Sequence, residues 1–185
     1  MRIITLLIIT LTLNSACQSR PKKGMNNKTI VETILVKKLG NDHWQTYTDI
    51  VIDAPIENVW RILTDWHQLT GWSSSFVGIE GNIQNDGKVM ISYLVDGKTY
   101  DTPHNFIYKE MQEFGWSDRM DGSFEGLTDN HRFRVEKISD NQTLFIQSDD
   151  FKGIGNEKMT AEKVANTTVK FFPTFNRELK IEAEK

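Results

Sequence analysis

Cysteine, surplus positive charge and long apolar runs are all scarce in this sequence. Its single cysteine, Cys17, excludes an intramolecular disulfide. Its net charge of −3 argues against nucleic acid as the main partner, because phosphate binding needs a concentrated positive surface. The apolar stretch Ile3–Leu13 is too short to span a bilayer as a helix. Catalytic signatures are missing as well. No Gly-x-Ser-x-Gly, His-Glu-x-x-His, P-loop or Gly-x-Gly-x-x-Gly motif occurs. The histidines, His43, His67, His104 and His131, are scattered without ligand spacing, so neither a metal site nor a cofactor is expected. Internal repeats and low-complexity segments are absent too.

What is present begins with a leader. Arg2 and the threonine-broken run Ile3–Leu13 have the form of a signal-peptide core. The segment Leu13-Asn14-Ser15-Ala16-Cys17 resembles the bacterial lipoprotein lipobox. The resemblance implies cleavage before Cys17 and lipid on its sulfur and on the new amino group; the alternative is an uncleaved amino-terminal anchor. Either way the expected location is the bacterial cell envelope, with the first residues holding the protein to a membrane. Residues 18–28, QSRPKKGMNNK, read as a flexible tether. Its basic residues Arg20, Lys22, Lys23 and Lys28 either touch anionic headgroups, at about 1 kcal/mol each, or are simply solvated. The expected organisation is therefore a leader over 1–16, a tether over 17–28 and one folded domain over 29–185. A charged content of 25% and an apolar content of 38% suit a soluble globular domain once the leader is removed.

The folded part is organised around Ala54–Phe76, APIENVWRILTDWHQLTGWSSSF. Pro55 suits a helix start, and Ile56, Val59, Trp60 and Leu63 recur on one helical face. A second helical turn carries Trp66, Leu69 and Trp72. Such a tryptophan cluster either plugs a core or lines a pocket. Strand-like runs flank the pair. Thr29–Val36 and His43–Asp53 surround a turn at Gly40-Asn41-Asp42, and Phe76–Ile83 leads out. Lys88–Val95 and Lys98–Lys109 enclose Asp96-Gly97, a strong hairpin signal. Phe114–Met120 is the next strand, and His131–Ile138 pairs with Gln142–Asp149 around Asp140-Asn141. From Glu157 onward, Val164, Thr168, Phe171, Phe172, Phe175 and Leu179 make one helical face, and Pro173 should kink or interrupt that helix. The expectation is an α+β domain: a curved antiparallel sheet of about six to seven strands wrapping a long C-terminal helix, with two short helices after the first strand.

Four segments then resemble the START-like superfamily, also called SRPBCC or helix-grip proteins, and most of all its polyketide cyclase/dehydrase-type branch. They are IDAPIENVWRILTD (52–65), Trp72 at the end of the second helix, DNHRFRVEKISDNQTLFIQSDDFKGIG (129–155) and FNRELK (175–180). The likeness covers roughly Trp44–Lys185. Where the family often follows that tryptophan with Asn-Pro, Ser73-Ser74-Ser75 stands here, which implies a different pocket rim. The resemblance implies a deep, mainly apolar cavity between sheet and helix, holding a lipid-like or aromatic small molecule. Family functions are diverse, so fold alone does not settle function.

Alternation along the strands, with the terminal helix, suggests Trp72, Tyr93, His104, Phe106, Trp116, Phe133, Phe171 and Phe175 as pocket lining, or else as side chains that meet and fill the space. An empty apolar cavity costs about 24 cal/mol per Å³, so roughly 300 Å³ would cost about 7 kcal/mol, comparable to a domain stability of about 5–15 kcal/mol. A cavity of that size is expected to hold ligand or ordered water, or to have collapsed. His104 is the best candidate for a catalytic acid or base, assisted by Tyr93 or Asp101; the alternative is a hydrogen-bonded structural histidine. His131 has the same two readings and less support. Arg132 and Arg134 suit a carboxylate but alternate with Phe133. Three functions follow: a membrane-tethered binder of an apolar small molecule, which is the expectation; a cyclase/dehydrase- or hydrolase-type enzyme using His104; and an envelope module whose groove binds another protein.

Overall fold

The computed structural model describes residues 30–185; the leader, Cys17 and the tether lie outside the described residues. Strands β1 (Glu32–Gly40), β2 (His43–Ile52), β3 (Phe76–Gly81), β4 (Lys88–Val95), β5 (Lys98–Lys109), β6 (Glu113–Trp116), β7 (His131–Ser139) and β8 (Gln142–Lys152) form one antiparallel sheet. Their order is β1-β2-β8-β7-β6-β5-β4-β3. Helix α1 (Ile56–Leu63) follows β2, and α2 (Ala161–Thr168) and α3 (Phe172–Ala183) end the chain. This is the helix-grip fold, an α+β curved sheet gripping its terminal helical segment, with eight strands where six to seven were expected. The helical pair follows the second strand, because β1 and β2 already form the entry hairpin. Only its first member is an α-helix; Leu69–Gly71 is a single 3-10 turn.

The local reasons are legible. The Asp96-Gly97 turn has φ of 50° and 73°, the left-handed pair that a two-residue hairpin needs. Thr160 caps α2, its hydroxyl accepting from the Lys163 N–H at 3.3 Å. Pro173 divides the expected terminal helix in two. It lacks the N–H that would bond back into the preceding turn, so the helix ends after Thr168, and α3 starts with Pro173 in its first turn. The break leaves Phe171 64% exposed at the corner between α2 and α3.

The sheet's register aligns its inward side chains in rows. Val135, Phe145 and Ile50 form one row. The next holds Tyr108, Phe114, Phe133, Gln147 and Thr48, and the one after it Phe106, Trp116, His131, Asp149 and Thr46. At one end, α1 and α3 press on the apolar rows. There Trp60 meets Phe114 at 6.3 Å, and Trp66 meets Phe106 and Phe114 edge-on at 6.2 and 4.9 Å. A second, smaller core of Leu127, Phe151, Ala161, Val164 and Ala165 lies under α2. The two buried threonines of β2 serve the helices: Thr46 donates to the Ala165 carbonyl at 2.8 Å, and Thr48 accepts from Asn176 at 2.8 Å. Among the described residues no helix is long and apolar enough to cross a membrane.

β6 stops at Trp116 instead of running on to Met120. The chain leaves the sheet because Asp129 captures it: its carboxylate accepts the Asp118 N–H at 3.1 Å, and its carbonyl accepts from the Ser117 hydroxyl at 3.1 Å. Met120 N–H then bonds the Leu127 carbonyl at 3.0 Å. The resulting loop carries Asp118 and Asp129 to the open side of the sheet.

Candidate functional site

Two hollows lie between the sheet and the broken terminal helix. One, of about 400 Å³, is walled by Phe76, Phe133, Phe172 and Phe175 and reaches Gln147 and the Leu94-Val95 rim. The other, of about 640 Å³, runs under α2 between Trp116, Phe151 and Val164, with His104, Asp118, Asp129 and Asp149 on its walls. Tyr93, His131 and Phe171 line both. Each volume falls in the range of small-molecule sites, about 300–1,000 Å³.

Of the lining residues expected from the sequence, Tyr93, His104, Trp116, Phe133, Phe171 and Phe175 line these hollows. Two are placed elsewhere. Phe106 lies in the solid core against Trp66 and Phe114, because the segment after α1 brings Trp66 onto it. Trp72 packs on Phe175 at 5.2 Å and faces a separate groove beside Arg61 and Glu182, because the 3-10 turn carries it to the far side of α3. Asp101 is not the partner of His104: it is exposed and accepts from the Ser92 hydroxyl at 2.7 Å. Arg132 and Arg134 sit on the opposite face from Phe133, with Arg132 3.9 Å from Glu113.

The polar wall has a definite hydrogen-bond plan. His104 Nδ1 lies 2.9 Å from Asp118 Oδ2. Asp118 also accepts from the Asn105 backbone N–H at 3.0 Å and from the Asn105 side-chain amide. The His104 ring packs on Trp116 at 5.1 Å. Asp129 accepts from the indole N–H of Trp116 at 3.2 Å; its burial still pushes its carboxyl pKa up.

His131 is only 8% exposed; it packs at a tilt on Trp116 at 4.5 Å and stacks on Phe133 and Phe172 at 4.6 and 4.8 Å. Burial lowers its pKa to about 3. Asp149, 4% exposed, lies 3.5 Å from the His131 ring, and burial drives its pKa well above the carboxylate range. Burial disfavours charge on both partners, and the 3.5 Å separation is too long for a strong ionic hydrogen bond. Gln147 Nε2, 2.9 Å away, donates to Nε2 of that neutral ring, which leaves the Gln147 carbonyl oxygen buried without a partner. Among the described residues no group of three or more acidic, histidine or cysteine side chains is placed to hold a metal.

Asp118, Asp129, Asp149 and Gln147 were not foreseen. Gln147 and Asp149 share the inward face of β8 with Phe145. Nothing in the sequence signals Asp118 and Asp129, whose places depend on the loop that Asp129 itself folds.

Comparison with known proteins gives the fold. No family model and no curated protein matches the sequence. Among solved structures, the chain is similar to the Zhui aromatase/cyclase from Streptomyces sp. R1128, at 13% identity and a TM-score of 0.59 over 77% of this chain and 94% of that one. It is similar to a START superfamily protein from Mycobacterium smegmatis, at 14% identity and a TM-score of 0.57 over 76% and 97% of the two chains. It is also similar to major latex-like protein 151 from Panax ginseng, at 10% identity and a TM-score of 0.58 over 77% and 99%. At these identities the likeness establishes the helix-grip fold and leaves activity to the site.

Proposed function

We propose that this domain binds an apolar small molecule between its sheet and its broken terminal helix. The observation that carries the reading is the pair of hollows meeting at Tyr93, His131 and Phe171, walled by phenylalanines and large enough for a ligand. A ligand that displaces water from those walls gains about 25 cal/mol for each Å² of apolar surface it covers. The fold that this chain shares with an aromatase/cyclase and a START superfamily protein suits such a role. Tethering through a lipidated Cys17, facing the periplasm or the cell surface, belongs to the same proposal and rests on the lipobox-like segment alone. Native mass spectrometry on protein purified without detergent tests the binding reading. A bound apolar molecule released on activation is the expected result; a homogeneous empty mass that takes up no added hydrophobic probe would end it.

One observation favours a second reading, an acid–base enzyme of the cyclase/dehydrase kind. His104 is oriented by Asp118 inside the larger hollow, the arrangement that a general base requires. Turnover of an enolisable ligand that is lost in His104→Gln would establish it.

A further inference from the structure

The hollow's own hydrogen bonds restrict what the polar end of a ligand can be. Its carboxylates away from the exposed mouth are already occupied. Asp118 is held by His104 and Asn105, Asp129 by Trp116 and the Asp118 N–H, and Asp149 by the Asn130 N–H at 3.1 Å. Beside Trp116, His104 Nε2 and the Tyr93 hydroxyl make no hydrogen bond within the described residues. The His104 side chain is 9% exposed, and its ring and that of Tyr93 flank the Trp116 indole at 5.1 and 6.3 Å. With Nδ1–H given to Asp118, the ring of His104 in its neutral form offers Nε2 only as an acceptor. Tyr93 offers an O–H.

Resting on the binding reading above, we propose that the ligand brings a neutral hydroxyl to His104 Nε2, so that the site selects phenol- or alcohol-headed apolar molecules and rejects carboxylate-headed ones such as fatty acids. A hydroxyl can donate to His104 Nε2. A carboxylate accepts from Tyr93 but sets its lone pairs against His104 Nε2 and adds an anion beside Asp118 and Asp129. The field at Tyr93 has that sign. Its pKa is pushed well up by burial first and then by Asp129, Asp149 and Asp118, so its proton stays in place to be donated. The one cationic side chain lining this hollow, Arg119, is exposed at the mouth.

The test is equilibrium binding of naphthalene, 2-naphthol and 2-naphthoate to the full chain at pH 8, read by tryptophan fluorescence and calorimetry. 2-Naphthol should bind about ten-fold more tightly than naphthalene, as one buried hydrogen bond predicts, and 2-naphthoate more weakly than naphthalene. In His104→Phe the preference for 2-naphthol over naphthalene, both measured on that variant, should disappear. Asp118→Asn, which frees the ring to turn or change tautomer and removes one negative charge, should narrow the preference for 2-naphthol over both naphthalene and 2-naphthoate and carries the test if His104→Phe does not fold. Equal or tighter binding of 2-naphthoate, or a hydroxyl preference that survives both variants, overturns the assignment while leaving the cavity reading intact. Failure of naphthalene itself to bind overturns both.

Discussion

The two ends of one concave sheet face have been built to opposite rules. Beside α1, Phe106, Tyr108 and Phe114 meet Trp60 and Trp66 in edge and stacked contacts with no hydrogen-bonding group among them but the phenol of Tyr108 and the two indoles. Two residues along the same strands, the inward positions are His104, Trp116 and His131, and β8 changes from Phe145 to Gln147 and Asp149. The solid end supplies stability through apolar burial. The hollow end holds buried polar groups that cost free energy unless each finds a partner. It survives because nearly every such group has one and because the other end is so densely packed. A single strand thus serves both ends, and a step of two residues separates packing from recognition.

The sharpest way to separate the two ends is acid. An unfolded histidine takes up a proton below about pH 6.5, whereas His131 in the fold does so only near pH 3. Between those values the unfolded state holds more protons, so the His131 contribution to stability is complete above the upper value and falls as the pH drops through the window. The full loss is up to roughly 5 kcal/mol. Asp129 and Asp149 act in the opposite sense, since their raised pKa values favour the folded state as the pH falls. The difference between wild type and His131→Gln isolates the histidine. Urea titrations of both proteins from pH 7.5 to pH 3.5 should show that difference changing steeply with pH, and a flat one would mean that His131 is charged where it stands.

The solid end is probed by Phe114→Ala. Phe114 is fully buried and touches Trp60, Trp66, Phe106 and Phe133. Removing its ring should cost about 4 kcal/mol, within the range for buried phenylalanine, measured as a shifted urea midpoint with an unchanged slope. A loss below about 1 kcal/mol would mean that this end is as loosely filled as the other, and the contrast would fail.

How far the contrast was legible in the sequence follows from what each end depends on. The solid end rests on local pattern. Val59, Trp60 and Leu63 at helical spacing specify it within a few residues of themselves, while the equally local Asp96-Gly97 turn and Pro173 set the hollow's rim and the helix break. Phe106 lies in the core and not at the hollow; alternation tells which face a residue takes but not what covers it. At the hollow end, His131 was readable from its alternation with Phe133 and Val135. Asp149 was hidden, because Ile146 and Ser148 on the outer face of β8 are buried too, flanked across the register by Tyr47, Arg132 and Arg134, so β8 lacks a clean two-residue period. Asp118 was beyond reach for a different reason: its position is set by Asp129, eleven residues on, a contact that no local pattern encodes.

The smallest predicted effect bears most directly on function. Phe171 is 64% exposed in the gap between α2 and α3, yet it lines both hollows, whereas its neighbour Phe172 is buried against His131. An exposed ring contributes little to folding, so Phe171→Ala should change stability by no more than about 0.5 kcal/mol. A bound aromatic molecule would cover that ring, and losing the ring contact should weaken naphthalene several-fold, in line with about 0.5–1.5 kcal/mol for an aromatic pair. Phe172→Ala should do the reverse, lowering stability by about 3 kcal/mol or more. If Phe171→Ala left naphthalene affinity untouched, the ring at the helix break would be an incidental product of Pro173, and the two hollows would have lost the wall that joins them.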